Sequence, residues 1–189
     1  LTNAIITGAD LSNAVLTGTI LTNVNLENAV LTNAILNCVS NSVCVSTGDE
    51  LSGKDLTGKR LVGADLSAAI VTHTNFYDSN LTSANLSGLD LTGTILTGAD
   101  LTDANLAGVD LSDKDLTGTI LAGVDLSGKD IADAILTDAN LTNAILTGAD
   151  LTNAILTGAI LTDANLENAI LTNAILNCVS NPVCVSTGD

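Results

Sequence analysis

The sequence predicts an all-β solenoid, a chain wound into short coils that stack along one axis. Three observations predict it. Leucine holds thirty of the 38 places numbered 1, 6, 11 and so on to 186, and only Leu89 among the leucines falls elsewhere. The column two places earlier is small, with alanine at Ala4, Ala9, Ala14 and sixteen further positions. The column two places later holds all 16 glycines, together with fifteen Asn or Asp.

A period of five suits neither ordinary element. On an α-helix each step of five advances about 140°, which would scatter the leucines all round the axis. On a straight strand side chains alternate, so successive leucines would face opposite ways. All the leucines point one way only if the chain turns once in every five residues. Glycine tolerates positive φ without a steric penalty, and Asn and Asp come next. The turn is therefore expected at the Gly/Asn/Asp column, after a short extended piece that carries small-x-Leu inward. The chain is 46% hydrophobic yet has one Phe, one Tyr, no Trp and no Met. Such an interior is filled by one repeated shape, without the large rings and flexible thioethers that usually fill irregular gaps.

Runs such as "ADLTDANLAGVDL" (99–111) and "ANLTNAILTGADL" (139–151) resemble the pentapeptide-repeat family, A(D/N)LXX. The resemblance covers residues 1–36 and 51–176. It implies a right-handed quadrilateral β-helix, four sides and 20 residues to a coil, with the central Leu and the preceding Ala inside. At a stacking rise of about 4.8 Å, about nine coils would make a rod roughly 45 Å long.

Taken in order, residues 1–36 are coils, 37–50 a cysteine-containing loop, 51–176 coils again, and 177–189 a second copy of the loop. Within the second run of coils, Lys54, Lys59, Lys114 and Lys129 occupy the small inward column. A buried unpaired ammonium is very unfavourable. These four are expected to snorkel outward or distort the coil, with Asp55, Asp115 and Asp130 as adjacent partners for three of them. Ile145, Ile155, Ile160, Ile170 and Ile175 replace the family's Asp or Asn before the central Leu. Their side chains are expected outside, as patches able to mate with another copy or as single exposed apolar groups.

The loop "NCVSNSVCVSTGDE" (37–50) would place Asn41 and Ser46 in leucine slots, so it is expected to leave the coil and rejoin it in phase. Cys38 with Cys44, and Cys178 with Cys184, are close enough in sequence to close each loop as a disulfide. That bonding would favour a periplasmic, lumenal or secreted setting. A metal site is a rival reading, weakened because the two loops stand roughly 35 Å apart and two thiols alone hold metal poorly. Free thiols are a third. Residues 1–49 and 141–189 differ at eight places only, and their offset of 140 is a whole number of coils. With Leu1 in place of an initiating Met and no capping helix, this duplication points to part of a longer repeat protein or a designed consensus.

Lys and Arg number 5 against 21 Asp and Glu, a net charge of −16. That sign argues against nucleic acid or an anionic membrane as partner, and no apolar run reaches the length of a membrane-spanning helix. The lone His73 has no catalytic company. Asp90, Asp100, Asp110, Asp115, Asp125, Asp130 and Asp150 would line a convex wall with no cleft to desolvate a general acid or base. No catalytic residue, cofactor site or metal site is assigned. The reading is a non-enzymatic structural or interaction solenoid with an unidentified protein partner, able to form homo-oligomers or stack end to end through Ile-rich faces. Some members of the family bind DNA topoisomerases as mimics of duplex DNA, which makes an acidic DNA mimic the alternative. Ice or lattice binding through the row Thr57, Tyr77, Thr97, Thr117, Thr137 and Thr157 is a third reading.

Overall fold

Each group of five closes one tight turn. In the first, the Lys54 amide donates to the Leu51 carbonyl at 2.9 Å, and Gly53 between them has φ of 66°. Positive φ at the third turn residue alone, with that hydrogen bond, is the signature of a type II turn. Every described residue of the Gly/Asn/Asp column has φ between 51° and 74°, including His73 at 59° and Ser83 at 55°. The turn therefore lies where the glycines placed it. The computed structural model describes residues 9–10, 51–67 and 69–177. The coils expected at 1–36 apart from residues 9–10, the loops at 37–50 and 177–189 apart from Asn177, and Cys38, Cys44, Cys178 and Cys184 lie outside the described residues.

Four turns make one circuit. Parallel bridges pair residues twenty apart, from Asp55 with Asn75 to Ile155 with Ile175. The Leu51 amide donates to the Ile70 carbonyl at 2.8 Å and the Asn75 amide to the Lys54 carbonyl at 2.9 Å, and this stitch recurs up the stack. The described part is thus a four-sided β-helix of about six coils. The sides are named by the outward residue before each central Leu. The first carries Asp55, Asn75, Ile95, Asp115, Ile135, Ile155 and Ile175. The second carries Arg60, Asn80, Asp100, Ile120, Asn140 and Ile160. The third carries Asp65, Asn85, Asn105, Asp125, Ile145 and Asn165, and the fourth Ile70, Asp90, Asp110, Asp130, Asp150 and Ile170.

The axis is filled as the columns require. The central residues from Leu51 to Leu161 are all buried, with Val71, Phe76 and Ile131 taking leucine places. Burying each contributes about 1.5–3 kcal/mol. Alanines of the inward column, such as Ala99, Ala139 and Ala159, are also fully buried. Where that column turns polar, hydroxyls bond to carbonyls. Thr74 Oγ1 donates to the Leu51 carbonyl at 2.7 Å, and Thr119 Oγ1 to the Leu116 carbonyl at 2.8 Å. Ser79 Oγ, in a residue with no exposed surface, has no partner.

The inward lysines depart from expectation in two ways. Lys59 does not snorkel: it is only 2% exposed, and burial pulls its ammonium below the usual lysine range, with Asp55 opposing that shift. Lys54, Lys114 and Lys129 are half-buried. For three of these lysines the charge is felt by a carboxylate four residues earlier. Lys59 acts on Asp55, Lys114 on Asp110 and Lys129 on Asp125. Neighbours along an extended segment point to opposite faces, so Asp115 and Asp130 face out while Lys114 and Lys129 face in. The residue four earlier lies across the corner instead.

Candidate functional site: rows on the outer faces

Stacking at a fixed period of twenty turns single outward positions into rows. On the fourth side Asp90, Asp110, Asp130 and Asp150 stand one above another. Each of these carboxylates is tied to its own turn. Asp150 Oδ1 accepts from Thr152 Oγ1 at 2.6 Å and from the Thr152 amide at 2.9 Å. Asp90 does the same with Thr92, and Asp110 with Ser112. Asp130 accepts only the amide of Ala132. Hydrogen bonds to the charged form favour it. The Thr152 hydroxyl holds the Asp150 carboxyl below the usual carboxylate range, and the Thr92 hydroxyl does so for Asp90. The Ser112 amide, followed by its hydroxyl, lowers Asp110. The other predicted aspartates lie elsewhere: Asp100 on the second side, Asp115 on the first and Asp125 on the third.

Amide rows run beside the acidic one. On the third side Asn85 Nδ2 donates to Asp65 Oδ1 and Asn105 Nδ2 to Asn85 Oδ1, both at 3.0 Å. At the corner before the first side Asn153 Nδ2 donates to Asp133 Oδ1 at 3.0 Å, and Asn173 Nδ2 to Asn153 Oδ1 at 3.2 Å. The isoleucines do not form one patch. Ile145 is on the third side, Ile160 on the second and Ile170 on the fourth, while Ile155 and Ile175 share the first with Ile135. Only Ile135, Ile155 and Ile175 are consecutive, bridged in pairs. Ile135 is 37% exposed and Ile175 48%. The threonines at 97, 117, 137 and 157 form one row, with Tyr77 beneath them.

Corner side chains lean on the next coil. A Cβ added at Gly93 would stand 2.5 Å from His73 Cδ2, so the imidazole lies over that glycine. Asp78 covers Gly98 in the same way, Asp103 covers Gly123 and Asp138 covers Gly158. The bonding of Thr and Ser hydroxyls back to the preceding Asp was not anticipated from the sequence, where the threonines suggested only a surface row. The recurring order Asp-Leu-Thr or Asp-Leu-Ser carries that signal. Among the described residues no group of three or more His, Cys, Asp or Glu could hold a metal ion, and no helix is long and apolar enough to cross a membrane.

A quadrilateral solenoid with inward Leu and Ala and outward rows defines a class of repeat scaffold. The chain belongs to the pentapeptide repeat family, whose model, "Pentapeptide repeats", matches residues 9–39, 60–98, 99–133 and 134–173 in eight copies. Among solved structures it is similar to HetL of the cyanobacterium Nostoc sp. strain PCC 7120, a pentapeptide repeat protein involved in heterocyst differentiation regulation. The identity is 29%, over 93% of this chain and 88% of that one, with a TM-score of 0.67. A pentapeptide repeat protein of the Arabidopsis thaliana thylakoid lumen is 30% identical over 66% of each chain, with a TM-score of 0.21. QnrB1, a plasmid-mediated fluoroquinolone resistance protein, is 15% identical over 95% of this chain and 92% of that one, with a TM-score of 0.42. No curated protein matches the sequence.

Proposed function

We propose that the protein is a non-enzymatic interaction scaffold that associates with its own copies through the apolar part of its first side. The observation that carries this reading is the row Ile135, Ile155 and Ile175, three consecutive outward aliphatic side chains, exposed at Ile135 and Ile175 and half-buried at Ile155. Elsewhere in the described stack isoleucines on neighbouring coils of one side alternate with polar residues. The row is framed by the Asp133–Asn153–Asn173 amide ladder on one flank and by Thr137 and Thr157 on the other. An apolar stripe with a polar rim is how a protein–protein interface is laid out, and a second copy presents the same stripe to it.

The test is sedimentation equilibrium of the full chain beside a variant carrying Ile135→Asn, Ile155→Asn and Ile175→Asn. Asparagine holds the same outward place at Asn75 and Asn140, so the variant keeps the fold. Wild type is expected to associate in a concentration-dependent way while the variant stays monomeric. A wild-type chain that remains monomeric at about 100 μM, where contacts weaker than about 5.5 kcal/mol stay open, ends this reading.

The stacked row Asp90, Asp110, Asp130 and Asp150 favours a second reading, in which the fourth side offers carboxylates in place of phosphates to an enzyme that handles duplex DNA. Duplex DNA presents one charge per 1.7 Å or so of its axis; a single row at coil spacing of about 4.8 Å is sparser. Gyrase supercoiling measured with and without micromolar protein separates the two, since the first reading leaves that activity untouched.

A further inference from the structure

The coils are not stitched evenly. On the second side bridges run unbroken from Arg60 with Asn80 to Asn140 with Ile160. On the fourth side, among the described residues, no bridge joins Ile70 to Asp90, Asp90 to Asp110 or Asp110 to Asp130, and pairing begins only at Asp130 with Asp150. Further gaps fall between Ile95 and Asp115 on the first side and between Asn105 and Asp125 on the third. The hydrogen bonds lapse at the same places: among the described residues, the amides of Leu91, Leu106 and Leu111 reach no carbonyl of the next coil. At the same level on the second side, Leu101 donates to Ile120 at 2.7 Å and Ile120 to Ala99 at 2.9 Å.

The inward column accounts for the gaps on the fourth side. On the fourth side it reads Ala69, Leu89, Val109, Lys129 and Ala149 up the stack, so three bulky residues occupy an alanine-sized slot in successive coils. Leu89 and Val109 are buried all the same, at 5% exposure each. Overfilling a packed interior forces the backbone to shift, and here it wedges the coils apart. Lys129 adds a chemical wedge. Its Nζ donates to the Val109 carbonyl at 3.3 Å, the oxygen that the Asp130 amide would take in the pattern by which Asp150 bonds to Lys129. A cavity of about 300 Å³, lined by Asn105, Leu106, Gly108, Asp125 and Lys129 among others, opens between the parted coils. Above residue 130, where the inward column returns to alanine, all four sides are stitched.

We infer that the rod carries a built-in joint, bending about residues 99–101 and 119–121 of the second side while the opposite, fourth side opens and closes. The bend alters the spacing of Asp90, Asp110 and Asp130 and leaves the isoleucine row, which lies above the joint, undisturbed. The joint therefore stands or falls independently of self-association. Amide hydrogen exchange followed by NMR on the full chain tests it. Leu91, Leu106, Leu111 and Asp130 are expected to exchange about 100-fold faster than Leu101, Ile120, Leu141 and Leu146, because unpaired backbone marks locally unstable structure. Rates equal within about tenfold would overturn the joint. A variant with Leu89→Ala, Val109→Ala and Lys129→Ala is expected to slow the Leu91, Leu106 and Leu111 amides at least tenfold without lowering Tm. Unchanged rates, or the fall in Tm that follows ordinary cavity formation, would overturn the wedge. Lys129→Ala alone repeats the test on Asp130, should the triple variant not fold.

Discussion

Lys59 shows how far a single position can depart from its column while the coil survives. It fills an alanine slot on the second side, directly beneath Ser79, whose hydroxyl has no partner. Both residues place polar atoms where the repeat supplies none, and the second side nonetheless keeps its bridge between Arg60 and Asn80. Burial depresses the Lys59 pKa, so the folded state resists its charge. A lysine whose folded pKa lies below its unfolded value weakens the fold at neutral pH, and that penalty fades as pH rises through the folded pKa toward about 10.4. Lys59→Ala is therefore expected to raise Tm at pH 7 by about 2–4 °C, the response of a chain this size to about 1 kcal/mol, and to gain less at pH 10. Thermal unfolding at the two values checks this; an equal gain at both would assign the effect to packing.

At the scale of the turn, the fold depends on one backbone state repeated at each corner. Gly98 and Gly128 both occupy it, with φ of 70° and 61°. Their surroundings differ: a Cβ on Gly128 meets open space, whereas one on Gly98 would run into the Asp78 carboxylate of the coil before. Gly128→Ala is expected to lose about 1–2 kcal/mol, the penalty of a left-handed conformation for an L-residue. Gly98→Ala should lose that and more, since Asp78 must move. Adding Asp78→Gly to Gly98→Ala should recover the excess and leave the common backbone penalty, which denaturant unfolding of the three variants would measure. Equal losses at the two glycines would mean that Asp78 swings aside freely. The corner was legible in the sequence because Gly, Asn and Asp dominate one column. The lean of Asp78 over Gly98 was not, because it links residues twenty apart and so presupposes the length of a circuit.

For the whole molecule, the net charge of −16 and the bonded carboxylates oppose each other as pH falls. Protonation relieves repulsion along rows such as Asp90, Asp110 and Asp150, which favours the compact state. It also breaks the bonds from Thr92, Ser112 and Thr152 that hold those carboxyls below their ordinary range. A depressed folded pKa contributes stability that is complete above the unfolded value of about 3.9 and is lost as pH drops below it. Tm is expected to fall between pH 5 and pH 3, as the turns lose their carboxylate acceptors together. A rise over that interval would show repulsion to be the larger effect.

Much of this architecture could be read from three columns, since Leu, Ala and Gly each have one reason to recur at their place. The count of four sides came from likeness to a family, because a period of five sets the distance between corners but not the angle at each corner. What the sequence hid were the relations across a circuit: which lysine stays buried, where overfilled slots part the coils, and which isoleucines meet on one side. Cys38, Cys44, Cys178 and Cys184 were the plainest irregularity in the chain, yet they lie outside the described residues.

The twenty-residue circuit separates interior from exterior in inheritance as well as in space. Loss or gain of a single pentad leaves every leucine pointing at the axis, so the molecule still folds. Everything downstream, however, is dialled round by a quarter turn, and each outward stripe is cut and rejoined to a stranger. New decorations can thus arise by slippage alone, with the hydrophobic spine indifferent to the change, whereas duplications in whole circuits, such as the 140-residue one here, copy an old decoration intact.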